Sequence, residues 1–147
     1  MPRIGIAITT RNRRDLLHDV VQAHVRHRPP DSRLIIVDDA SDPRPLDATI
    51  ALLDVNSEYF PFWDRVGVPR AKNRCLYQLQ DCDYCFLFDD DCYPVVDGWA
   101  ERYIWSFEQT GLHHFNLLHP RCAGQLPLER VFHNGVAMWR SAGYGGP

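Results

Sequence analysis

The chain has 147 residues, a formal net charge of −3, a hydrophobic fraction of 45% and a charged fraction of 24%. Folding at this length buries roughly 70% of the extended surface, enough for a core. An aromatic share of 12% excludes a disordered chain, and the slightly acidic balance argues against a dedicated nucleic-acid binder.

Arg3 to Thr9 is predicted as a strand, with Ile4, Ile6 and Ile8 alternating with Gly5 and Ala7 so that both faces can be covered. Thr10 to Asn12 reads as a polar turn with Asn12 as helix N-cap, and Arg13 to His27 has helical spacing in Leu16, Leu17, Val20, Val21, His24 and Val25. Pro29 and Pro30 end it. Arg33 to Val37 is a nearly all-apolar strand of the kind buried on both faces of a parallel sheet. Leu46 to Leu53 is predicted as a short helix and Val55 to Phe60 as a third strand. Gly67-Val68-Pro69 reads as a turn, Arg70 to Gln80 as a helix, and Tyr84 to Phe88 as another strand buried on both faces. A loop, Pro94 to Gly98, leads into an amphipathic helix from Trp99 to Gln109. His113 to His119 and Arg130 to Trp139 are predicted strands, and a glycine-rich tail closes the chain. Strand and helix alternate through the first hundred residues, which implies an α/β domain with a mostly parallel sheet and right-handed crossovers.

No apolar run reaches the ~18 residues that span a bilayer, and the N-terminus opens on a strand pattern instead of a signal peptide, so the expected compartment is cytoplasmic. Of the five cysteines (Cys75, Cys82, Cys85, Cys92 and Cys122), Cys82-x-x-Cys85 invites a zinc reading. Structural zinc wants four ligands and no fourth is well placed, so these are read as buried or partly buried thiols.

Ligands of open α/β sheets bind beyond the carboxyl ends of the strands. Three such ends carry polar clusters here: Thr9-Thr10-Arg11-Asn12-Arg13, Asp38-Asp39 and Asp89-Asp90-Asp91. In extended backbone, residues 89 and 91 share a face. Two hard oxygen ligands with open positions opposite suit Mg²⁺ or Mn²⁺ bridged to a diphosphate. Asp38-Asp39 could accept from a nucleobase or a ribose hydroxyl. Arg70, Lys72 and Asn73 open a helix, where cations oppose the helix dipole and make better sense reaching toward phosphate or base.

The ordered set resembles the family-2 glycosyltransferases of the GT-A fold, a Rossmann-like mostly parallel sheet flanked by helices. The matching pieces are Ile4-Gly-Ile-Ala-Ile-Thr-Thr-Arg-Asn-Arg13, Ile35-Ile-Val-Asp-Asp-Ala-Ser-Asp42, Gly67-Val-Pro-Arg-Ala-Lys-Asn73 and Tyr84-Cys-Phe-Leu-Phe-Asp-Asp-Asp91, with Asn134-Gly-Val-Ala-Met-Trp-Arg140 and Gly145-Gly146 further on. The resemblance implies a single domain over residues 1–147, with a donor-binding core at 1–98 and the start of an acceptor-side region at 99–147. It implies transfer of sugar from a nucleotide-sugar donor, a UDP-sugar by preference, to an unknown acceptor, with Mn²⁺ or Mg²⁺. Thr9 and Arg13 would line the nucleotide pocket, Asp39 would bind the base, and Arg70 or Lys72 would approach base or diphosphate. Asp89 and Asp91 would be a D-x-D pair holding ribose and metal, with Asp90 beside them. In this family a general base follows the glycine pair by some tens of residues, and no such carboxylate pair occurs after Asp97. Glu101, Glu108 and Glu129 lack its context, which leaves His133 as the remaining candidate for a metal or acceptor contact. Three readings stay open: a truncated chain, an enzyme completed by a partner, or a retaining variant that needs no base. The alternatives to an enzyme of this kind are a nucleotide-sugar-binding module without turnover and a nucleotidyltransferase. The latter would want a glycine-rich loop after the first strand, and Thr9 to Arg14 has none.

Overall fold

The computed structural model describes residues 1–111, 128–133 and 136–141. The chain divides into two compact units, Met1–Gly98 and Trp99–Pro147.

The first unit runs β1 (Ile4–Thr10), α1 (Arg14–His27), β2 (Arg33–Asp38), α2 (Asp47–Ile50), β3 (Ser57–Pro61), α3 (Val68–Gln78) and β4 (Tyr84–Asp89). Its sheet has the order β3-β2-β1-β4, and every pair is parallel. The register runs from Gly5 opposite Arg33 to Thr10 opposite Asp38, and from Ile4 opposite Tyr84 to Thr9 opposite Asp89. Because all four strands point the same way, their carboxyl ends lie along one edge. That edge collects Thr10, Asp38, Pro61 and Asp89.

Strand alternation sorts the core into two layers. Ala7, Ile35 and Val37 face α3, whose Ala71 and Cys75, with Leu79 at its C-cap, complete one cluster. Gly5 belongs to the same face, and a Cβ there would meet both Leu79 methyls at 2.9 Å and Cys82 Sγ at 3.0 Å. Glycine at this position lets α3 close onto the sheet. Ile6, Ile8, Leu34 and Ile36 form the opposite face and are fully buried. α1 covers that side with Leu17, Val20, Val21 and His24, and the His24 ring meets Phe88, the register partner of Ile8, edge-on at 4.5 Å.

Several local expectations shift. α3 begins at Val68, because Pro69 sits in its first turn, where a missing N–H and a fixed φ are tolerated. α1 is preceded by Arg13 as N-cap, with no side-chain cap bond. Asn12 instead adopts φ 53° and its amide oxygen accepts from the Asp42 N–H at 2.8 Å. β4 is half-buried and exposed by turns instead of buried on both faces. Among the described residues it is one of the two edge strands of this sheet, with β3 at the other side, and Leu87 is 39% exposed. Cys85 is accordingly exposed, whereas Cys75 is buried and Cys82 and Cys92 are half-buried, all four as free thiols. Burial pushes the Cys75 thiol up to about 11.

In the second unit, α4 (Trp99–Thr110) buries Trp99, Ala100, Ile104 and Ser106. The stretch expected as one strand from Arg130 to Trp139 is two: β5 (Leu128–His133) pairs antiparallel with β6 (Val136–Ser141), His133 opposite Val136. The residues between them in sequence are Asn134-Gly135, the dipeptide most favoured by two-residue hairpin connections. The strand expected at 113–119, the glycine-rich tail after residue 141 and Cys122 lie outside the described residues, as do the side chains of Glu129 and His133. Among the described residues no helix is long and apolar enough to cross a membrane.

Candidate functional site

The aspartate run starts at the last residue of β4. Its geometry departs from the extended backbone expected of it: the Cys92 N–H donates to the Asp89 carbonyl at 3.1 Å, closing a turn. The turn separates the three carboxylates by role. Asp90 folds inward and is 6% exposed. It accepts from the Thr10 hydroxyl at 2.7 Å, the Arg11 N–H at 3.4 Å and Arg13 Nη1 at 3.1 Å. Asp89 and Asp91 project outward, with side chains 63% and 54% exposed. The tip of β1 is thus bonded to the tip of β4 through the middle aspartate. From below, His24 Nε2 lies 3.4 Å from the Cys92 carbonyl. Burial lowers this imidazole to about 4, so it is neutral at pH 7.

Two cations attend the outward carboxylates. Lys72, on α3, places Nζ 2.8 Å from Asp89 Oδ1 and 2.8 Å from the Phe88 carbonyl. Thr9 adds a hydroxyl bond to Asp89 at 3.2 Å. The Lys72 bond foremost, set against burial, holds the Asp89 carboxyl below its ordinary value. Arg13 uses the single nitrogen Nη1 to bridge Asp90 and Asp91, each at 3.1 Å. Its guanidinium is raised above its ordinary value, first by the bond to Asp91.

At the β2 end both aspartates are held by donors of the chain itself. Asp38 is fully buried. Its carboxylate accepts from the Ser41 N–H at 3.0 Å, Arg44 Nη1 at 3.3 Å, and the hydroxyls of Ser41 and Tyr59. Tyr59 is pushed up to about 12, by burial first and the Asp38 bond second. Asp39 is 5% exposed and binds backbone: Val66 N–H at 2.6 Å and Gly67 N–H at 3.0 Å. An anion before the first turn of α3 also suits the helix dipole. Ser41 joins this end to β1, because its Oγ accepts from the Asn12 N–H at 2.9 Å. The Asp39 N–H donates to the Thr10 carbonyl at 2.9 Å, and Arg11 Nη1 reaches the Asp39 carbonyl at 3.3 Å.

Of the residues expected from sequence, Thr9, Thr10, Arg11, Arg13, Lys72 and the aspartates at 38, 39, 89, 90 and 91 therefore converge at one sheet edge. Arg70 and Asn73 are exposed on α3 and stand outside this bonded network. Arg44, Tyr59 and the Val66 backbone escaped the sequence reading, and Asn12, Ser41 and Gly67, though inside its motifs, were given no part in bracing the aspartates. The signal available for the loops was weak: polar residues at strand ends, with Asn12 and Ala40 in left-handed conformations, φ 53° and 56°.

The donor set suits a hard divalent cation. Asp89 and Asp91 offer exposed carboxylate oxygens, and Mg²⁺-like ions are bound by one or two carboxylates plus water and substrate phosphates. Among the described residues no group of three His, Cys, Asp or Glu side chains is placed to hold a metal ion.

Residues 5–122 match the family model described as glycosyl transferase family 2. No curated protein matches the chain. Among solved structures it is similar to the mannosyltransferase PcManGT from Pyrobaculum calidifontis in complex with GDP-Man and Mn²⁺, with TM-score 0.57, 21% identity, and coverage of 71% of this chain and 32% of that one. It is also similar to S. aureus TarS 1-349 in complex with UDP-GlcNAc, with TM-score 0.57, 13% identity, and coverage of 80% and 37%. At these identities the likeness concerns the fold, and the chain spans about a third of the length of either structure.

Proposed function

The chain belongs to glycosyl transferase family 2, and on that premise we propose that its first unit binds a nucleoside-diphosphate sugar together with Mn²⁺ or Mg²⁺ for transfer of the sugar to an acceptor. One observation carries the reading: Asp90 fastens the turn to β1, so that Asp89 and Asp91 alone of the triplet face outward, beside Arg13 and Lys72. Asp91 is the proposed metal ligand, and Asp89 serves the metal or the ribose. A bound divalent cation would offset charge gathering on the leaving nucleoside diphosphate. Arg13 and Lys72 supply positive charge to the diphosphate, and Thr9 lines the same edge. Asp38, Asp39 and Asp90 hold the loops in place, Asp39 by fixing the 62–67 loop beside the nucleoside. A UDP-sugar is the preferred donor; the two similar structures bind GDP-Man and UDP-GlcNAc respectively.

The test is a thermal-shift screen of UDP, GDP and their sugars with and without Mn²⁺. A ligand at one hundred times its Kd stabilises the native state by about 2.7 kcal/mol. UDP with Mn²⁺ should raise the melting temperature of the wild type and leave that of Asp91→Ala unmoved. An equal rise in both sinks the proposal.

A further inference from the structure

We propose that Cys82 and Cys85 are a reversible dithiol–disulfide pair, oxidised by small-molecule disulfides of the glutathione class. The pair lies at the amino ends of the strands, away from the aspartate edge, and stands independently of the donor-site reading.

The connection from α3 to β4 gathers both sulfurs in one corner. Leu79, at the C-cap of α3, offers a single carbonyl to the two residues: the Cys82 N–H donates to it at 2.9 Å and the Cys85 thiol at 3.5 Å. Gly5 is the register partner of Cys85 on the neighbouring strand. The space a side chain would take there is filled by Cys82 Sγ, 3.0 Å from where a Gly5 Cβ would stand. Register partners point to the same face of a sheet, and neighbouring strands lie about 4.8 Å apart. Cys85 therefore rises from β4 beside the space that holds the Cys82 sulfur. The two thiols feel each other: Cys85 is raised by burial first and by neighbouring Cys82 second. A thiol is a weak donor, so the Leu79 bond restrains Cys85 little from turning toward Cys82.

Exposure divides the roles, since Cys85 is exposed and Cys82 half-buried. The Cys85 thiolate attacks one sulfur of oxidised glutathione, expelling a glutathione thiolate and leaving a mixed disulfide. The Cys82 thiolate then attacks the Cys85 sulfur of that bond and expels the second glutathione thiolate. Two protein thiols are oxidised and one glutathione disulfide is reduced to two thiols, the two protons passing through solvent to the leaving groups. Burial raises Cys82 too, with Arg33 and Arg3 favouring its thiolate and Asp81 and Asp83 opposing it, so exchange runs faster in mild base than at pH 7. The other described cysteines stand apart. Cys75 is fully buried and pushed up to about 11, and Cys92 sits at the far end of β4 with its thiol 3.5 Å from Asp91.

The experiment treats the reduced full chain with oxidised glutathione at about pH 8.5, where a free thiol is half ionised, for wild type, Cys82→Ser and Cys85→Ser. Remaining thiols are alkylated, and the tryptic peptide from Cys75 to Arg102 is read by mass spectrometry. In the wild type it should be lighter by two hydrogens, carry alkylated Cys75 and Cys92, and give no backbone fragments between Cys82 and Cys85; dithiothreitol should return both thiols. Cys82→Ser removes the resolving thiol and should accumulate glutathione on Cys85 to at least about ten times the wild-type level, because a thiol held nearby acts at a high effective concentration. Cys85→Ser, a replacement at an exposed position that should fold, should form no bridge. A bridge from Cys85 to any cysteine but Cys82 overturns the proposal. So does glutathione held on Cys85 as fully in the wild type as in Cys82→Ser, or a Cys85 that does not react.

Discussion

Asp90 and Asp91 are adjacent in sequence, yet their replacement by alanine should produce opposite results. Asp90 is 6% exposed and accepts two donors from the β1 tip, the Thr10 hydroxyl at 2.7 Å and the Arg11 N–H at 3.4 Å. A hydrogen bond to a charged group contributes ~1.5–3 kcal/mol, and a buried donor left without an acceptor costs ~1–3 kcal/mol. The Arg11 bond is long and belongs at the weak end. Arg13, 51% exposed, regains water and adds little. Asp90→Ala should therefore destabilise the fold by about 3 kcal/mol, which for a chain of this size lowers the melting temperature by roughly 6–12 °C. Asp91→Ala removes a pair whose members are 51% and 54% exposed, and should change stability by no more than ~0.5 kcal/mol. Its effect should fall on binding, by abolishing the stabilisation that UDP provides with Mn²⁺. Thermal and urea unfolding followed by circular dichroism, paired with calorimetry of UDP and Mn²⁺, separates the two. An Asp90→Ala protein melting within 2 °C of the wild type, or an Asp91→Ala protein losing as much stability as Asp90→Ala, would refute the assignment of buried anchor and exposed ligand.

Three more outcomes are expected of the same fold. His24 is buried and depressed from 6.5 to about 4, so the unfolded chain takes up a proton that the folded one refuses. Its contribution, roughly 3 kcal/mol, is present above pH 6.5 and lost as pH falls from there toward 4; urea midpoints should show this loss, and His24→Phe should flatten that part of the profile. Gly5→Ala should cost about 1–3 kcal/mol, because its methyl meets Leu79 at 2.9 Å; a melting temperature equal to wild type would mean that Leu79 moves aside freely. Asp39→Ala takes the acceptor from the Val66 and Gly67 amides, and hydrogen exchange at those two amides should accelerate by at least ten-fold, with weaker UDP binding alongside.

Residue order alone carried the layering of this protein. Ile4 to Thr10 and Arg33 to Asp38 declare themselves as strands because apolar side chains on both faces, next to Gly5 and Ala7, suit only a sheet covered on two sides. The helices between them force parallel pairing, and parallel pairing brings the polar strand ends to one edge. That much follows from local pattern; the family came from the resemblance of the ordered motifs, and the family model over residues 5–122 agrees with it. The same logic marked Tyr84 to Phe88 as a buried strand, whereas it is half-buried and exposed by turns, since an apolar run does not say how fully its faces will be covered.

What tertiary structure decided is which charges are available. Asp38, Asp39 and Asp90 look like Asp89 and Asp91 in the sequence, but the first three are buried on hydroxyls, amides and guanidinium groups brought from elsewhere in the chain: Thr10 lies 80 residues from Asp90, and Val66 lies 27 residues from Asp39. No local pattern encodes those meetings. They depend on register between strands and on where a turn points a side chain. Whether a carboxylate ends buried on the chain's own donors, as Asp90 does, or exposed, as Asp91 does, is settled only when the chain has closed around it.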